Sequence, residues 1–483
     1  MGCQLQFLRG LHAFWRKSAN RCRLRRRLNA FLQAAFPAAW DKACVRIARG
    51  GGRTCIAVVG RCSAFEILWE RFQPARQLCL RLQLDPAARR RPCSVRSDVM
   101  RSCEIAIVGL GLMGSAALRS LATCGADVLG FDPMHLGEPR GSSHGSCRVY
   151  RRFNYESDAY TDLSERAFEG WRELEAVTER VILKPSAVLE AGPKDSKLVA
   201  ASRAAAARKG PIEGPSSGAE ANAAYPAFNL PGDWSVAVQQ SGGILLAEEA
   251  MRAFRLGLEE RIVPASARFT STPTGILVST SHGDVMAKQL ILAAGPWISK
   301  LLPEIGPHLR VTRQAVGWFK PSRPSAVRYG EFPIFILDNG KRGLVYGFPD
   351  FEGRGVKAAQ HDLGPDAGPD DWSPLPTPEE LSVVRTTLEQ FVPGAAGPIT
   401  DRDVCLYTNT LQADVVVDDG NEFIIDRLPG DPRIIVASPC SGHGAKFATA
   451  IGSMLADLAL DPAASASPAF SIQRFSAFAR SAS

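Results

Sequence analysis

The chain lacks any apolar run near the roughly 18 residues that a helix needs to cross a bilayer, so nothing in it suggests a membrane span. It has 12 cysteines but no Cys-x-x-Cys pair and no histidines at zinc-ligand intervals, which argues against a metal site. Gln6 stands where a myristoylation signal carries Ser or Thr. The last three residues, Ser481-Ala482-Ser483, do not form a peroxisomal address. What remains is an ordinary globular composition, 45% apolar and 22% charged over 483 residues, long enough for more than one domain.

Charge is unevenly spread. The net charge is +8, but residues 1–99 hold 20 Lys and Arg against five Asp and Glu, a net +15 that leaves −7 on the remainder. The remainder therefore has no nucleic-acid signature. The Arg-rich stretch Arg21–Arg27 is compatible with a mitochondrial transit peptide or with a basic arm for nucleic acid or anionic lipid. The third possibility is an extension outside the functional protein, with translation properly starting at Met100. Residues 1–99 are accordingly expected to be a disordered or non-native leader. Beyond them only Cys103, Cys124, Cys147, Cys405 and Cys440 occur, a sparseness that fits a reducing compartment. The expected location is cytoplasmic, or mitochondrial if the leader is a transit peptide.

Glu104-Ile105-Ala106-Ile107-Val108 has the β-branched, continuous apolar character of a buried parallel strand. Gly109-Leu110-Gly111-Leu112-Met113-Gly114 follows, and a helix to about Cys124. Gly109 turns the chain, Gly111 admits a pyrophosphate, and Gly114 lets the helix pack. The helix N-terminus favours phosphate. A second strand, Asp127–Phe131, ends at Asp132, placed to accept hydrogen bonds from a ribose. This context specifies a dinucleotide but leaves NAD and FAD both open, since Gly-Leu-Gly-Leu-Met-Gly also resembles the opening of NAD-dependent β-hydroxyacid dehydrogenases.

Later segments favour FAD. Gly141–Arg151 is a polar, glycine-punctuated loop containing Ser142, His144 and two arginines three apart, Arg148 and Arg151. Gly243–Leu246 is an alternating element followed by a helix near Ala247–Glu259, and Lys288–Trp297 is a strand running into a small-residue turn. Arg433–Ala437 is a strand, Ser441–Gly444 a turn, and Ala445 to about Leu460 a helix, which directs a second helix N-terminus at the cofactor. The Gly- and Pro-rich middle does not resemble an all-helical C-terminal domain.

With Tyr346-Gly347-Phe348-Pro349, Gly355–His361, Cys405–Thr410, Phe423–Asp426 and Ser441–Phe447 in order, the chain resembles the monomeric sarcosine oxidase and N-methyltryptophan oxidase family, within the D-amino-acid-oxidase-like flavoproteins. The resemblance runs from about Cys103 to about Leu460. It implies an α/β mixed fold, with a Rossmann-like FAD-binding domain and an antiparallel-sheet substrate domain. It implies FAD bonded covalently through Cys405, with Gly109, Gly111, Gly114, Asp132, Ser142, His144, Arg148, Gly442, Gly444 and Lys446 around the cofactor. Arg151 and Lys446 match the pair that grips a substrate carboxylate. Tyr346, His361, Tyr407 and His443 match cavity residues, and Lys357 the lysine that promotes reaction with oxygen. Lys357, Arg148, His361, Tyr346 and His443 are thus the catalytic candidates. One departure stands out: Ser146-Cys147 precedes Arg148 where the family carries an acid and Thr.

Positive neighbours would favour a Cys405 thiolate and hence its attack on an oxidised flavin. On residues alone, Cys405 reads first as a small buried hydrophobe and Lys446 as a solvated lysine, while Arg148–Arg152 could be a solvated charge run. An amino acid carboxylate is the ligand that two such cations suit. The expected domains are 100–185, 236–305 and 402–470 for FAD, 186–235 and 306–401 for substrate, and a tail at 471–483. The expected activity is oxidation of a secondary amino acid, such as sarcosine, to an imine that hydrolyses, with oxygen reduced to hydrogen peroxide. The expected partners are that amino acid and oxygen, with no nucleic acid, membrane or metal, and the protein a monomer. The alternatives are a flavin dehydrogenase that passes electrons to a quinone or protein, and an NAD-linked hydroxyacid dehydrogenase.

Overall fold

The computed structural model describes residues 43–50, 53–60, 64–68, 100–138, 140–209, 214–371, 373–411 and 423–478. Most of the basic leader, including Arg21–Arg27, and the last five residues lie outside the described residues. The chain forms two compact units. The first holds residues 1–99 with Leu121–Asp127. In it, strands Ala43–Gly50, Arg53–Gly60 and Ala64–Leu68 pair antiparallel in chain order.

The second unit holds Met100–Ser120 and Val128–Ser483. Its largest sheet has eight strands. Strand Arg101–Val108 lies at the centre, parallel to Val128–Phe131 on one side and to Gly283–Leu292 on the other. Strand Asp431–Ser438 joins parallel to Gly283–Leu292. The apolar runs predicted from sequence explain this layer: Ile105, Ala106, Ile107, Leu290, Ile291 and Leu292 are fully buried or nearly so. Each such Leu or Ile contributes roughly 1.5–3 kcal/mol through burial. Helix Leu112–Thr123 follows the central strand, as the glycine spacing predicts.

A seven-stranded sheet stands apart, in the order Ile399–Thr410, Leu309–Phe319, Val356–Gln360, Leu344–Gly347, Ile334–Asp338, Val188–Gly192, Ser235–Gln239. Its pairs are antiparallel except Ile334–Asp338 with Val188–Gly192. The two sheets have separate apolar cores. The α/β mixed architecture with parallel and antiparallel sheets is therefore present.

Three local differences from the sequence expectation bear on the site. The polar stretch before Arg151 is not wholly loop, because Cys147–Tyr150 is a strand paired with Gly243–Leu246. The predicted helix after Leu246 stops at Arg255, where Gly257 takes a positive φ of 72°. The helix expected from Ala445 starts as a 3₁₀ turn, Gly444–Phe447, and becomes α-helical only at Ala448.

Helix Asp158–Thr178 buries Tyr160, Leu163, Ala167, Trp171 and Leu174, the spacing of one helical face. That face docks on helix Ala448–Leu460. Trp171 Nε1 donates to the Lys446 carbonyl at 2.9 Å, and Thr449 Oγ1 to the Ala167 carbonyl at 2.8 Å. The backbone beneath Lys446 is fixed in this way.

Candidate active site: two joined cavities

A wide cavity of about 890 Å³ runs along the carboxyl ends of the parallel strands. The glycine turn forms one end. Gly109 has φ +89°, and a Cβ there would stand 2.5 Å from the Ala293 carbonyl oxygen. A Cβ on Gly114 would stand 1.8 Å from the Gly109 carbonyl oxygen, so helix and turn close only on glycine. Asp132 is 7% exposed and accepts from the amides of Leu110 (2.6 Å) and Met134 (2.8 Å). Burial raises its pKa even against those two hydrogen bonds.

Two residues at this end were not anticipated from sequence. Ser143 Oγ accepts from the Leu112 amide at 2.9 Å and so caps the helix. Arg255 donates from Nε to Ser115 Oγ at 3.0 Å and from Nη2 to the Leu110 carbonyl, bracing the turn beside Asp132. An arginine ending an amphipathic helix carries no sequence signal for this task.

The loop from Gly141 is stitched to strand Ile399–Thr410. Ser142 Oγ donates to the Leu406 carbonyl at 2.5 Å, and the Leu406 amide to the Gly141 carbonyl at 3.1 Å. Arg148 donates from Nη2 to the carbonyls of Ser142 (2.9 Å) and His144 (2.6 Å), and lies 3.8 Å from Cys405 Sγ. His144 Nε2 is 3.3 Å from Asp403, while its Nδ1 is buried with no hydrogen-bond partner.

A second cavity of about 90 Å³ adjoins the first. His144, Arg148, Cys405, Tyr407, Gly442 and Ala445 line both. Period-two alternation puts Cys405 and Tyr407 on one face of their strand. Gly442 has φ +75°, and a Cβ there would meet Tyr407 at 2.4 Å and His361 at 2.8 Å, so the turn approaches the cavity only as glycine. Gly444 is buried in the same turn.

The remaining candidates converge on the small cavity. Lys357 is 6% exposed. Its Nζ is 3.2 Å from the Cys147 carbonyl and 3.6 Å from Cys147 Sγ, over the faces of Trp318 and Phe348. Tyr346 and Tyr407 hydrogen-bond to each other, and burial pushes the Tyr346 hydroxyl up to about 12. Burial lowers His361 to about 4 and His443 to about 3, so both imidazoles are neutral at ordinary pH. Neither ring nitrogen of His443 has a hydrogen-bond partner.

Residues 104–458 match the family described as DAO, FAD dependent oxidoreductase. The chain belongs to that family. It is 33% identical over 370 residues to monomeric sarcosine oxidase from Bacillus sp. (strain B-0618), covering 74% of this chain and 92% of that protein. It is 29% identical over 385 residues to N-methyl-L-tryptophan oxidase from Yersinia pestis (strain Pestoides F), covering 77% and 99%. The fold matches the open form of the amino acid oxidase NikD with a TM-score of 0.66 at 18% identity, covering 76% of this chain and 96% of that one.

Membership makes the protein an FAD-dependent oxidoreductase acting on CH–NH groups and sets aside the NAD alternative. The cavities fit that cofactor. The wide one is lined by the glycine turn, by the buried Asp132 carboxylate and by His144, whose Nδ1 has no hydrogen-bond partner. Among the described residues no cluster suits a metal and no helix is long and apolar enough to cross a membrane.

One expectation about the flavoprotein needs correction. Positive neighbours were expected to favour a Cys405 thiolate. Burial instead raises the thiol pKa, and Arg148 offsets this only in part.

The main surprise is a pair of acids at Arg151. Glu156 Oε1 accepts from Arg151 Nη2 and lies 3.9 Å from Lys446 Nζ and 3.8 Å from His443 Nδ1. Glu190 Oε1, wholly buried, accepts from Arg151 Nη1 at 3.3 Å. Burial alone would raise the Glu156 carboxyl; Arg151 first and Lys446 second overcome it and hold it well below the usual carboxylate range. Burial pulls Lys446 down to about 7, against the attraction of Glu156. Glu156 follows Arg151 by five residues in a segment with no periodicity, and Glu190 sits in an apolar strand, so neither announced itself.

Proposed function

We propose that the protein is an FAD-dependent oxidase of small secondary amino acids, held by their carboxylate. The observation that carries this is the Arg151–Lys446 pair in the wall of the small cavity, with a carboxylate, that of Glu156, already seated on it. A substrate carboxylate takes the place of Glu156 Oε1, and Glu156 swings away. The two monomeric sarcosine oxidase and N-methyl-L-tryptophan oxidase relatives support an N-substituted amino acid as substrate.

Bound in the wide cavity, FAD would supply a two-electron acceptor for the C–H bond next to the amine nitrogen, with oxygen as the onward acceptor and hydrogen peroxide as the product. Gly109, Gly111, Gly114, Asp132, Ser142 and His144 would hold it, with Gly442 and Gly444 at the far end. Cys405, which faces both cavities next to Arg148, is the residue we assign to the covalent bond.

The chain's own groups do the rest. Tyr346, Tyr407 and His361 wall the small cavity and exclude water. His361 and His443, neutral at ordinary pH, add no positive charge beside the amine. The substrate nitrogen binds deprotonated, so no strong base is needed. Lys357, whose polar contacts are both with Cys147, presents a cation that stabilises negative charge developing on oxygen. That cation favours oxygen over a quinone or protein acceptor.

The test is oxygen uptake and peroxide release with sarcosine, N-methyltryptophan, proline and pipecolate. At least one should be consumed with peroxide formed in equal amount. Turnover with an artificial quinone but no oxygen uptake would establish the dehydrogenase instead.

A further inference from the structure

Arg151 has two acidic partners in different positions, and they cannot serve the same purpose. Glu156 faces the cations of the small cavity: its Oε1 is close to Arg151 and Lys446 together, with the neutral His443 ring beside them. Its other oxygen, Oε2, is buried without a hydrogen-bond partner. Glu190 lies behind the guanidinium, on strand Val188–Gly192 of the seven-stranded sheet. Neither acid is part of a cavity wall, but Glu156 shares Arg151 with Lys446 and His443, which both line the small cavity, whereas the ion pair of Glu190 is with Arg151. Both Glu190 carboxylate oxygens are engaged, Oε1 by Arg151 Nη1 and Oε2 by Gln239 Nε2, each at 3.3 Å.

Gln239 ties this acid to the loop that carries Arg151. Its Oε1 accepts from the Phe153 amide at 2.9 Å, and its Nε2 donates to the Phe153 carbonyl at 3.0 Å. The Arg151 carbonyl is also held, by Ser164 Oγ at 2.9 Å. The guanidinium lies over the Tyr155 ring, its Cζ 4.1 Å from the ring centroid. Guanidinium, loop backbone and sheet are one connected assembly, with Glu156 the exchangeable member.

We propose that Glu190 is a positioning residue: it anchors one edge of Arg151 permanently, so that the other edge keeps its aim at the cavity when a ligand carboxylate displaces Glu156. This rests on the carboxylate grip described under the proposed function. A buried arginine released by Glu190 would turn toward whatever acceptor remained, and the bidentate geometry that makes arginine selective for carboxylates would be lost. Pure charge counting makes the opposite forecast. Removing a negative group beside Arg151 should then attract anions more strongly.

Acetate is the probe, with acetamide as the uncharged control, titrated calorimetrically into the flavin-loaded full chain. Glu190→Gln places an amide nitrogen against Gln239 Nε2 or Arg151 Nη1, both donors, and should weaken acetate about tenfold. Gln239→Met, which alters no charge, should weaken it in the same direction. Glu156→Gln should tighten it. With substrate, Glu190→Gln should raise KM and leave kcat within about twofold, because binding through the carboxylate is what is lost. Unchanged or tighter acetate binding in Glu190→Gln, or no effect in Gln239→Met with both variants folded, overturns the proposal. Wild-type protein that binds acetate no better than acetamide overturns the carboxylate grip itself.

Discussion

Around the wide cavity the decisive atoms are backbone, gathered in one short stretch from Gly109 to Gly114 and in the turn at Gly442. Around the small cavity they are charged side chains from four separate places: Arg151 and Glu156, Glu190, Lys357, and Lys446. Backbone donors at a helix end and a turn cost little to keep in place, because the fold that makes them also points them. Buried charges are held only by each other, and removing one leaves its partner uncompensated. The wide cavity should therefore fail through sterics, all or none, and the small one through graded losses of affinity.

The largest effect should come from the turn. Gly114→Ala puts a methyl where the Gly109 carbonyl stands, and the purified variant should carry no flavin, seen as loss of its visible absorbance. Normal flavin content in that variant would break the contrast at once. Cys405→Ala comes next. The wild type should keep its flavin through acid precipitation, and the variant should release it to the supernatant.

Lys357→Met should leave anaerobic reduction by substrate intact and slow reoxidation by oxygen by about two powers of ten or more, the scale of losing one preorganised electrostatic group. Stopped-flow measurement of the two half-reactions separates the outcomes. Arg151→Ala should do the reverse. It should weaken carboxylate-bearing substrates by about one to two powers of ten, the equivalent of roughly 1.5–3 kcal/mol for a charge-assisted hydrogen bond.

The smallest effect is the pH dependence of the grip. Lys446 is held down to about 7 by burial, so its cation is present below that pH and lost as pH rises through it. Acetate affinity should accordingly fall several-fold as pH rises through about 7. In Lys446→Met it should be weak and flat over the same window, near the wild type's high-pH level, since His361 and His443 titrate far below it. A persistent step in that variant would assign the titration elsewhere.

Ser143, Arg255, Glu156 and Glu190 show where the sequence stops speaking. Each acts through a contact with a partner remote along the chain or in an aperiodic loop: Ser143 with Leu112, Arg255 with Leu110, Glu190 with Arg151. None lies in a motif whose spacing forces a geometry. The Cys405 thiol is a related case. Its cationic neighbour Arg148 was legible, but the burial that outweighs it was not, because desolvation depends on everything packed around the sulfur.

The sequence by itself determined the parallel strand, the glycine turn and the acid at Asp132, since strand periodicity, positive φ and close backbone approach are local demands that only certain residues meet. It also determined which spaced blocks carry the cavity residues. The tertiary structure alone decided that a chain carboxylate already sits on Arg151 and Lys446, and that a second one holds Arg151 from behind. Electrostatic energy between buried groups depends on distance and on exclusion of water, and neither exists until the two sheets and the helices that flank them have closed around the site.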